Sequence, residues 1–258
     1  MMSSPRATGI VTFSILLETG GPRPTSVVSA GRAARLIEIF ARHRVPATWA
    51  VGQPWNCSLA DKLLTGQVDH ELALLGDPSW SGRAHGRSRA AMELSRRLGQ
   101  AREAGMAIAS AVLPSVGDAG LHAACEVLAA EQVRAVWSPS STSGSSATRP
   151  VPLCDGLWHT PSTAEIAPQR GWLAAAKQRG QWRRTIQNAC DVGGVSHLWL
   201  NAATLEEPAG FASIETAVRA AASARAKRGL QLVSLAQTVE ILDAAPRATR
   251  SHSILRAA

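Results

Sequence analysis

The feature that most constrains the fold is a regular alternation of short apolar runs with longer helical patterns. Apolar runs at 10–17, 48–51, 71–75 and 106–113 are separated by segments with helical apolar spacing, at 29–42, 59–64 and 89–104. The alternation recurs about eight times over roughly 230 residues, which is typical of a parallel α/β architecture. One (β/α) barrel is favoured over two small domains, because no linker of distinct composition divides the chain.

The second half of the chain continues this rhythm. Helical patterns are predicted at 119–131, 171–190, 214–228 and 235–242, and strands at 133–137, 151–158, 196–200 and 230–233. The Ser-rich segment 138–150 is predicted to be a mobile loop inserted into a single domain that spans 1–243. Residues 244–258 are predicted to form a flexible tail.

Length and composition set the broad class. With 258 residues, 45% of them apolar and 18% charged, the chain is large enough to bury a core and does not have the composition of a disordered protein. No apolar run of about 18 residues predicts a membrane span, and the N-terminus lacks the pattern of a signal peptide, so we expect a cytoplasmic protein. The four cysteines lie far apart without a CxxC pair, which argues against a zinc site or a disulfide framework.

The net charge of +8, from 27 Lys+Arg against 19 Asp+Glu, raises the question of a nucleic-acid partner. The arginines are spread over nearly every predicted helix, and no helix-turn-helix or zinc-finger pattern accompanies them. Nucleic-acid binding is therefore the least favoured of the functions considered, and the charge by itself predicts no particular partner.

Functional groups of parallel α/β folds follow the carboxyl ends of the strands. The residues found there are Glu18, Asp77, Ser79, Trp80 and Asn201, which we take as candidate pocket residues. They do not form a metal cluster, since a zinc-type ion needs about three converging His, Cys, Asp or Glu side chains. No P-loop, G-x-S-x-G elbow or G-x-G-x-x-G motif is present.

Five segments, taken in chain order, resemble those of NodB-type polysaccharide deacetylases. They are ARLIEIFARHRVPATWAVGQ at 34–53, DHELALLGDPSW at 69–80, LHAACEVLAAEQVRAVWSPSS at 121–141, SHLWLNAAT at 196–204 and RGLQLVSLAQTVEIL at 228–242. The resemblance covers about residues 8–243. It implies a distorted (β/α) barrel, TIM-like with seven or eight strands. It also implies a hydrolase family that removes acetyl groups from sugars with a divalent metal such as zinc, whose bound water is activated while a carboxylate takes the proton.

The residues that this chemistry needs are replaced at the matching positions. The family's first acidic motif falls on Ser14 with Ile15 or Leu16, and its two metal-binding histidines fall on Leu75 and Ser79. Its arginine falls on Val112, and its late histidine falls on Asn201. The resemblance therefore implies a degenerate active site, without the family's metal and with no other cofactor expected.

Two functional hypotheses are consistent with such a barrel. The first is a non-catalytic protein of carbohydrate metabolism that binds a glycan or partners an active enzyme. Trp55, Trp80, Trp137 and Trp199 would then be either sugar platforms or core residues. The second is an active hydrolase that cleaves C–N or ester bonds of acetylated sugars with a non-standard site, whose polar candidates are Glu18, Asp77, His159, His197 and Asn201.

Overall fold

The computed structural model describes residues 8–18, 28–77, 86–114, 118–139, 149–154, 156–167, 172–205 and 208–245. The strands in these ranges are β1 Ile10–Leu16, β2 Thr48–Val51, β3 Glu71–Leu75, β4 Ser110–Val112, β5 Ala135–Trp137, β6 Val151–Cys154, β7 Leu157–His159, β8 Ala164–Glu165, β9 Val195–Asn201 and β10 Gln231–Leu232. The helices are α1 Ala30–Arg42, α2 Ala60–Leu64, α3 Gly86–Glu103, α4 Asp118–Ala130, α5 Trp172–Val192, α6 Ala209–Arg228 and α7 Leu235–Ala244. None of the helices in the described ranges is long and apolar enough to cross a membrane.

The ten described strands form one sheet in the order β6-β7-β5-β4-β3-β2-β1-β9-β8, with β10 paired to β1. All pairs are parallel except the β6–β7 hairpin. The sheet curls into a half-barrel with helices on its outer side, which confirms the predicted distorted (β/α) barrel. The described sheet has ten strands, more than the seven or eight expected. The hairpin adds one strand, and the two-residue strands β8 and β10 account for the rest.

The two faces of the sheet carry different cores. On the outer face, Phe13, Phe40 and Trp49 pack edge to face, with ring centroids 5.5 and 5.8 Å apart, beneath the surrounding helices. Residues two apart on each strand point inward and form a smaller cluster inside the curl. That inner cluster contains Leu16, Ala50, Ala73, Leu75, Val112, Ala135, Trp137 and Trp199, together with Leu235 and Val239 of α7.

Helix α7 covers the end of the barrel at which the parallel strands begin, which we call the base. The backbone N–H of Leu235 donates to Thr48 Oγ1 at 2.9 Å, and that of Ala236 donates to Glu71 Oε2 at 3.1 Å. Glu71 also accepts hydrogen bonds from the hydroxyls of Thr48, at 2.9 Å, and Ser110. A capping box between Ser234 and Gln237 completes the helix start.

Several predicted elements differ from the structure. The strand expected at 106–113 is confined to Ser110–Val112, the strand at 151–158 is the β6–β7 hairpin, and β8 had no predicted counterpart. The helices expected at 89–104 and 214–228 begin earlier, at Gly86 and Ala209. Most of the predicted Ser-rich loop, at 140–148, and the predicted tail beyond residue 245 lie outside the described residues. The single domain spanning 1–243 stays a prediction.

Candidate functional site

The carboxyl ends of the central strands bring their inward-facing residues to one opening of the barrel. Register pairs Leu16 with Ala50 and with Asn201, and Leu75 with Val112, which in turn pairs with Trp137. Glu18 and Gly52 follow Leu16 and Ala50 by two residues at the same ends of β1 and β2. We call the barrel end formed by Leu16, Glu18, Gly52, Leu75, Val112 and Asn201 the mouth.

The mouth is apolar where the resemblance places a metal-binding histidine. Leu75 is 1% exposed and packs with Leu16, Val112 and Trp137 in the inner cluster. Burying such a side chain stabilises the fold by about 1.5–3 kcal/mol and offers no ligand atom. Of the residues matched to the first acidic motif, Ser14 is fully buried inside the barrel, and Ile15 packs in the outer core.

The described side chains do not fit the divalent metal that the resemblance implies. No three of the described His, Cys, Asp and Glu side chains stand where they could share an ion. Leu75 stands at the position matched to a metal-binding histidine, and Val112 at the position matched to the arginine, and both side chains are apolar. Ser79, at the other matched histidine position, lies outside the described residues. The described residues of the mouth therefore do not support a metal-dependent reaction step.

Glu18 is the carboxylate that follows β1 at the mouth. Its Oε2 accepts a hydrogen bond from the backbone N–H of Gly52 at 3.3 Å. A Cβ atom at residue 52 would stand 2.9 Å from that oxygen, so the glycine leaves room for the carboxylate. Burial raises the pKa of the neighbouring Cys57 thiol, and the negative charge of Glu18 adds to that rise.

Arg97 of α3 lies beneath the mouth. A search of the residues that follow the strands does not find it, because it belongs to a helix. Its Nη1 donates to the carbonyl oxygens of Gly52 at 3.2 Å and Leu75 at 3.3 Å, and its Nε donates to Glu93 at 3.2 Å. The guanidinium thus ties the ends of β2 and β3 together and adds positive charge there. The Glu93–Arg97 spacing of four residues on one helix face is the sequence signal that would have indicated this residue.

The other predicted pocket residues have separate roles in the structure. Asp77 is 4% exposed and follows the end of β3 by two residues. Asn201 uses its Oδ1 to accept the N–H of Ala203 at 3.0 Å, and so caps the 3-10 turn Ala202–Thr204. Ser79 and Trp80 lie outside the described residues. The assignment of these residues to one binding pocket stays a prediction.

The barrel interior below the mouth is filled by aromatic rings. His197 is fully buried, its Nε2 lies 2.8 Å from Ser14 Oγ, its ring lies 4.7 Å from that of Trp137, and burial lowers its pKa to about 3. Trp137 is fully buried, and Trp199, 5.5 Å away, is nearly so, so neither is an open platform for a sugar ring. The buried indole N–H groups of both have no hydrogen-bond partner among the described residues. Trp55 and His159 are half-buried.

No family model matches this sequence, and no curated protein matches it. Solved structures do match its fold. A Mycobacterium smegmatis protein described provisionally as a polysaccharide deacetylase has a TM-score of 0.64 at 15% identity, over 94% of this chain and 93% of its own. PuuE allantoinase has a TM-score of 0.65 at 12% identity, over 92% and 90%. A CE4 family pseudoenzyme from Bacillus anthracis has a TM-score of 0.51 at 10% identity, over 90% and 66%.

These likenesses define the class of the fold as the distorted (β/α) barrel of NodB-type deacetylases. The names of the three proteins span a deacetylase, an allantoinase and a pseudoenzyme, so the barrel alone does not decide the chemistry. The residues at the mouth are therefore the basis for a functional proposal.

Proposed function

We propose that this chain is a polysaccharide-deacetylase-like protein of carbohydrate metabolism with a degenerate site, acting as a non-catalytic glycan-binding or accessory protein. The observation that carries the proposal is the buried leucine, Leu75, at the inward position where the family has a metal-binding histidine. Val112 and Leu16 extend the same apolar wall. A metal-activated water needs about three protein ligands around the ion, and the described mouth does not supply them.

Binding is supported by the polar groups at the mouth. Glu18 is a partly exposed acceptor there, and Arg97, paired with Glu93, lies close to Gly52. An apolar opening with a few polar groups around it is the general composition of small-ligand sites. Hydroxyl-rich sugars supply the donors and acceptors that such groups pair with.

The second candidate is an active hydrolase that cleaves C–N or ester bonds of acetylated sugars with a non-standard site. It is favoured by Glu18, a carboxylate that follows β1 shortly after the positions matched to the family's acidic motif and that can accept a proton.

One set of measurements separates the two. Purified protein is analysed for bound Zn, Ni, Co and Fe, assayed for release of acetate from N-acetylated oligosaccharides and O-acetylated sugars, and titrated with the same glycans. We expect substoichiometric metal, no acetate release above background, and saturable glycan binding.

Glu18→Gln serves as the matched variant, because it removes the carboxylate charge and keeps the side-chain shape. Acetate release that Glu18→Gln abolishes would establish the hydrolase in place of the non-catalytic protein. Stoichiometric metal with turnover would contradict the degenerate site itself.

A further inference from the structure

Two neighbouring helices, α5 and α6, each carry a net charge of +3 in a chain whose cations are spread over nearly every helix, as the sequence indicates. Together the two helices hold eight of the 27 Lys+Arg and two of the 19 Asp+Glu, a net charge of +6. The cations are Lys177, Arg179, Arg183, Arg184, Arg219, Arg225, Lys227 and Arg228, and the carboxylates are Asp191 and Glu215. The linear sequence separates the two helices by the strand β9, whereas in the fold they are neighbours.

The two helices pack side by side and leave a groove between them. An ion pair between Asp191 of α5 and Arg228 of α6 joins their carboxyl ends. The groove encloses about 250 Å³. Small side chains of α6, Ala220, Ser223 and Ala224, face Arg183 and Gln187 of α5 across it, and Lys227 stands on its wall. We call this the basic groove.

Two cations that line the groove, Arg183 and Lys227, and three more on the same two helices are not neutralised by described carboxylates. Lys177, Arg179, Arg183, Arg219 and Lys227 are exposed, and none has a carboxylate within ion-pair distance in the described part of the chain. Glu215, one of the two local carboxylates, is drawn to Arg42 of α1 instead. Elsewhere arginines pair within the protein, as Arg102 does with Glu131 and Arg134 with Asp243. A dense set of unneutralised cations gives a local positive potential that attracts polyanions.

We propose that the basic groove binds an anionic polysaccharide through its carboxylate, phosphate or sulfate groups. Guanidinium groups bind such oxyanions in two-pronged fashion, and the small floor of the groove lets a sugar chain approach the helices closely. That the polyanion is a polysaccharide rests on the proposed function. That the face binds a polyanion rests on its charge alone.

The geometry favours a polysaccharide over nucleic acid. Single-stranded nucleic acid is held by exposed aromatic rings on which its bases stack, and Trp182, the aromatic residue of α5 whose side chain is described, is buried against the sheet. Sequence-specific reading of the major groove of duplex DNA requires a helix or strand that enters it, whereas α5 and α6 pack against each other along their length.

The basic groove is separate from the mouth. Asp191 and Arg228 are at the helix ends that lead into β9 and toward β10, and therefore at the base of the barrel. Binding at the groove and binding at the mouth are thus independent events, which allows each to be tested without the other.

The test compares the wild-type chain with the charge-reversal variant Arg183→Glu/Lys227→Glu. Polygalacturonate is the anionic probe, and dextran is its neutral counterpart. The matched control is Lys62→Glu/Arg89→Glu, which reverses two exposed cations away from the groove and changes the net charge equally. Thermal unfolding checks that all three chains are folded.

We expect polygalacturonate binding that weakens steeply with added salt and no binding of dextran at this groove. The groove variant should bind about tenfold more weakly and with a shallower salt dependence, since two of the charges that meet the polymer are reversed. The control variant should bind within about twofold of wild type.

Three results would overturn the proposal. Equal loss in the control variant would show that only net charge matters. An absence of polygalacturonate binding at low salt would remove the site. Tighter binding of DNA than of polygalacturonate at the same salt concentration would make nucleic acid the ligand. None of these results bears on metal content or acetate release, so they leave the proposed function to its own test.

Discussion

Two glutamates at opposite ends of the inner barrel face show how differently those ends are built. At the base, Glu71 accepts hydrogen bonds from the hydroxyls of Thr48 and Ser110 and from the N–H of Ala236. At the mouth, Glu18 accepts one hydrogen bond, from Gly52 at 3.3 Å, and is partly exposed. The base glutamate is fixed by the fold, whereas the mouth glutamate is held loosely.

The difference indicates that polar hydrogen bonds hold the base, whereas the mouth is held mainly by apolar packing. The hydrogen bonds of Glu71 join β2, β4 and the start of α7, so three parts of the chain depend on one carboxyl group. The residues of the mouth contribute mostly apolar packing, which tolerates many side chains of similar volume. A barrel of this class can therefore keep its fold while the chemistry at its mouth is replaced.

Replacing Glu71 should have the largest effect on stability. Glu71→Ala leaves the hydroxyls of Thr48 and Ser110 and the N–H of Ala236 without their acceptor. We expect the free energy of unfolding at pH 7 to fall by about 3 kcal/mol, measured by urea titration. Glu71→Gln, which keeps one acceptor oxygen and the shape, should lose about half as much. A loss below about 0.5 kcal/mol for Glu71→Ala would contradict the role of the base.

A second test concerns protonation near the base, where His70 precedes Glu71. His70 is 8% exposed and its ring stands 5.5 Å from the Trp49 ring, and burial lowers its pKa to about 4, against opposing effects of the Ala47 backbone and the charge of Asp69. Below its ordinary pKa near 6.5 the unfolded chain takes up a proton that the folded chain does not. Stability from this residue is therefore present at neutral pH and lost as the pH falls, by about 2 kcal/mol between pH 7 and pH 5.

His70→Leu should remove this part of the pH dependence. Across pH 7 to 5 the variant should lose about 2 kcal/mol less stability than wild type. His197, whose pKa is also lowered, makes the chain less stable as the pH falls, whereas the raised pKa of Glu71 has the opposite effect on stability. The difference between variant and wild type therefore isolates the contribution of His70. His70→Gln, which also cannot titrate, is the control and should flatten the profile equally. An unchanged profile in both variants would show that His70 is not buried in its neutral form.

The sequence predicted the centre of the barrel better than its edges. The bounds of β2 and β3 agreed with the structure because they are continuous buried apolar runs, flanked by turn residues. The β6–β7 hairpin was read as one strand, although the Asp-Gly dipeptide at 155–156 is a hairpin signal and Gly156 has a φ of 81°. The two-residue strand β8 carries no periodicity at all, since it owes its extended form to backbone pairing with β9.

The candidate site could be predicted only in part, because contacts between distant segments leave no local pattern. Residues that follow strands, such as Glu18, are found by a positional rule. Arg97 reaches the mouth from a helix, and only the fold brings it to the carbonyls of Gly52 and Leu75. The basic groove was missed for the same reason, since the neighbouring positions of α5 and α6 are a property of the tertiary structure.

The smallest effect is expected at the mouth, and it sharpens the comparison of the two glutamates. Glu18→Gln changes a partly exposed carboxylate with one long hydrogen bond, which the amide oxygen can still accept. We expect its free energy of unfolding to stay within about 0.5 kcal/mol of wild type, measured beside Glu71→Gln under the same conditions. If Glu18→Gln instead destabilises the chain as much as Glu71→Gln, the mouth is part of the framework of the fold. In that case the apolar residues around it serve the stability of the fold, and they would no longer support the proposed degenerate site.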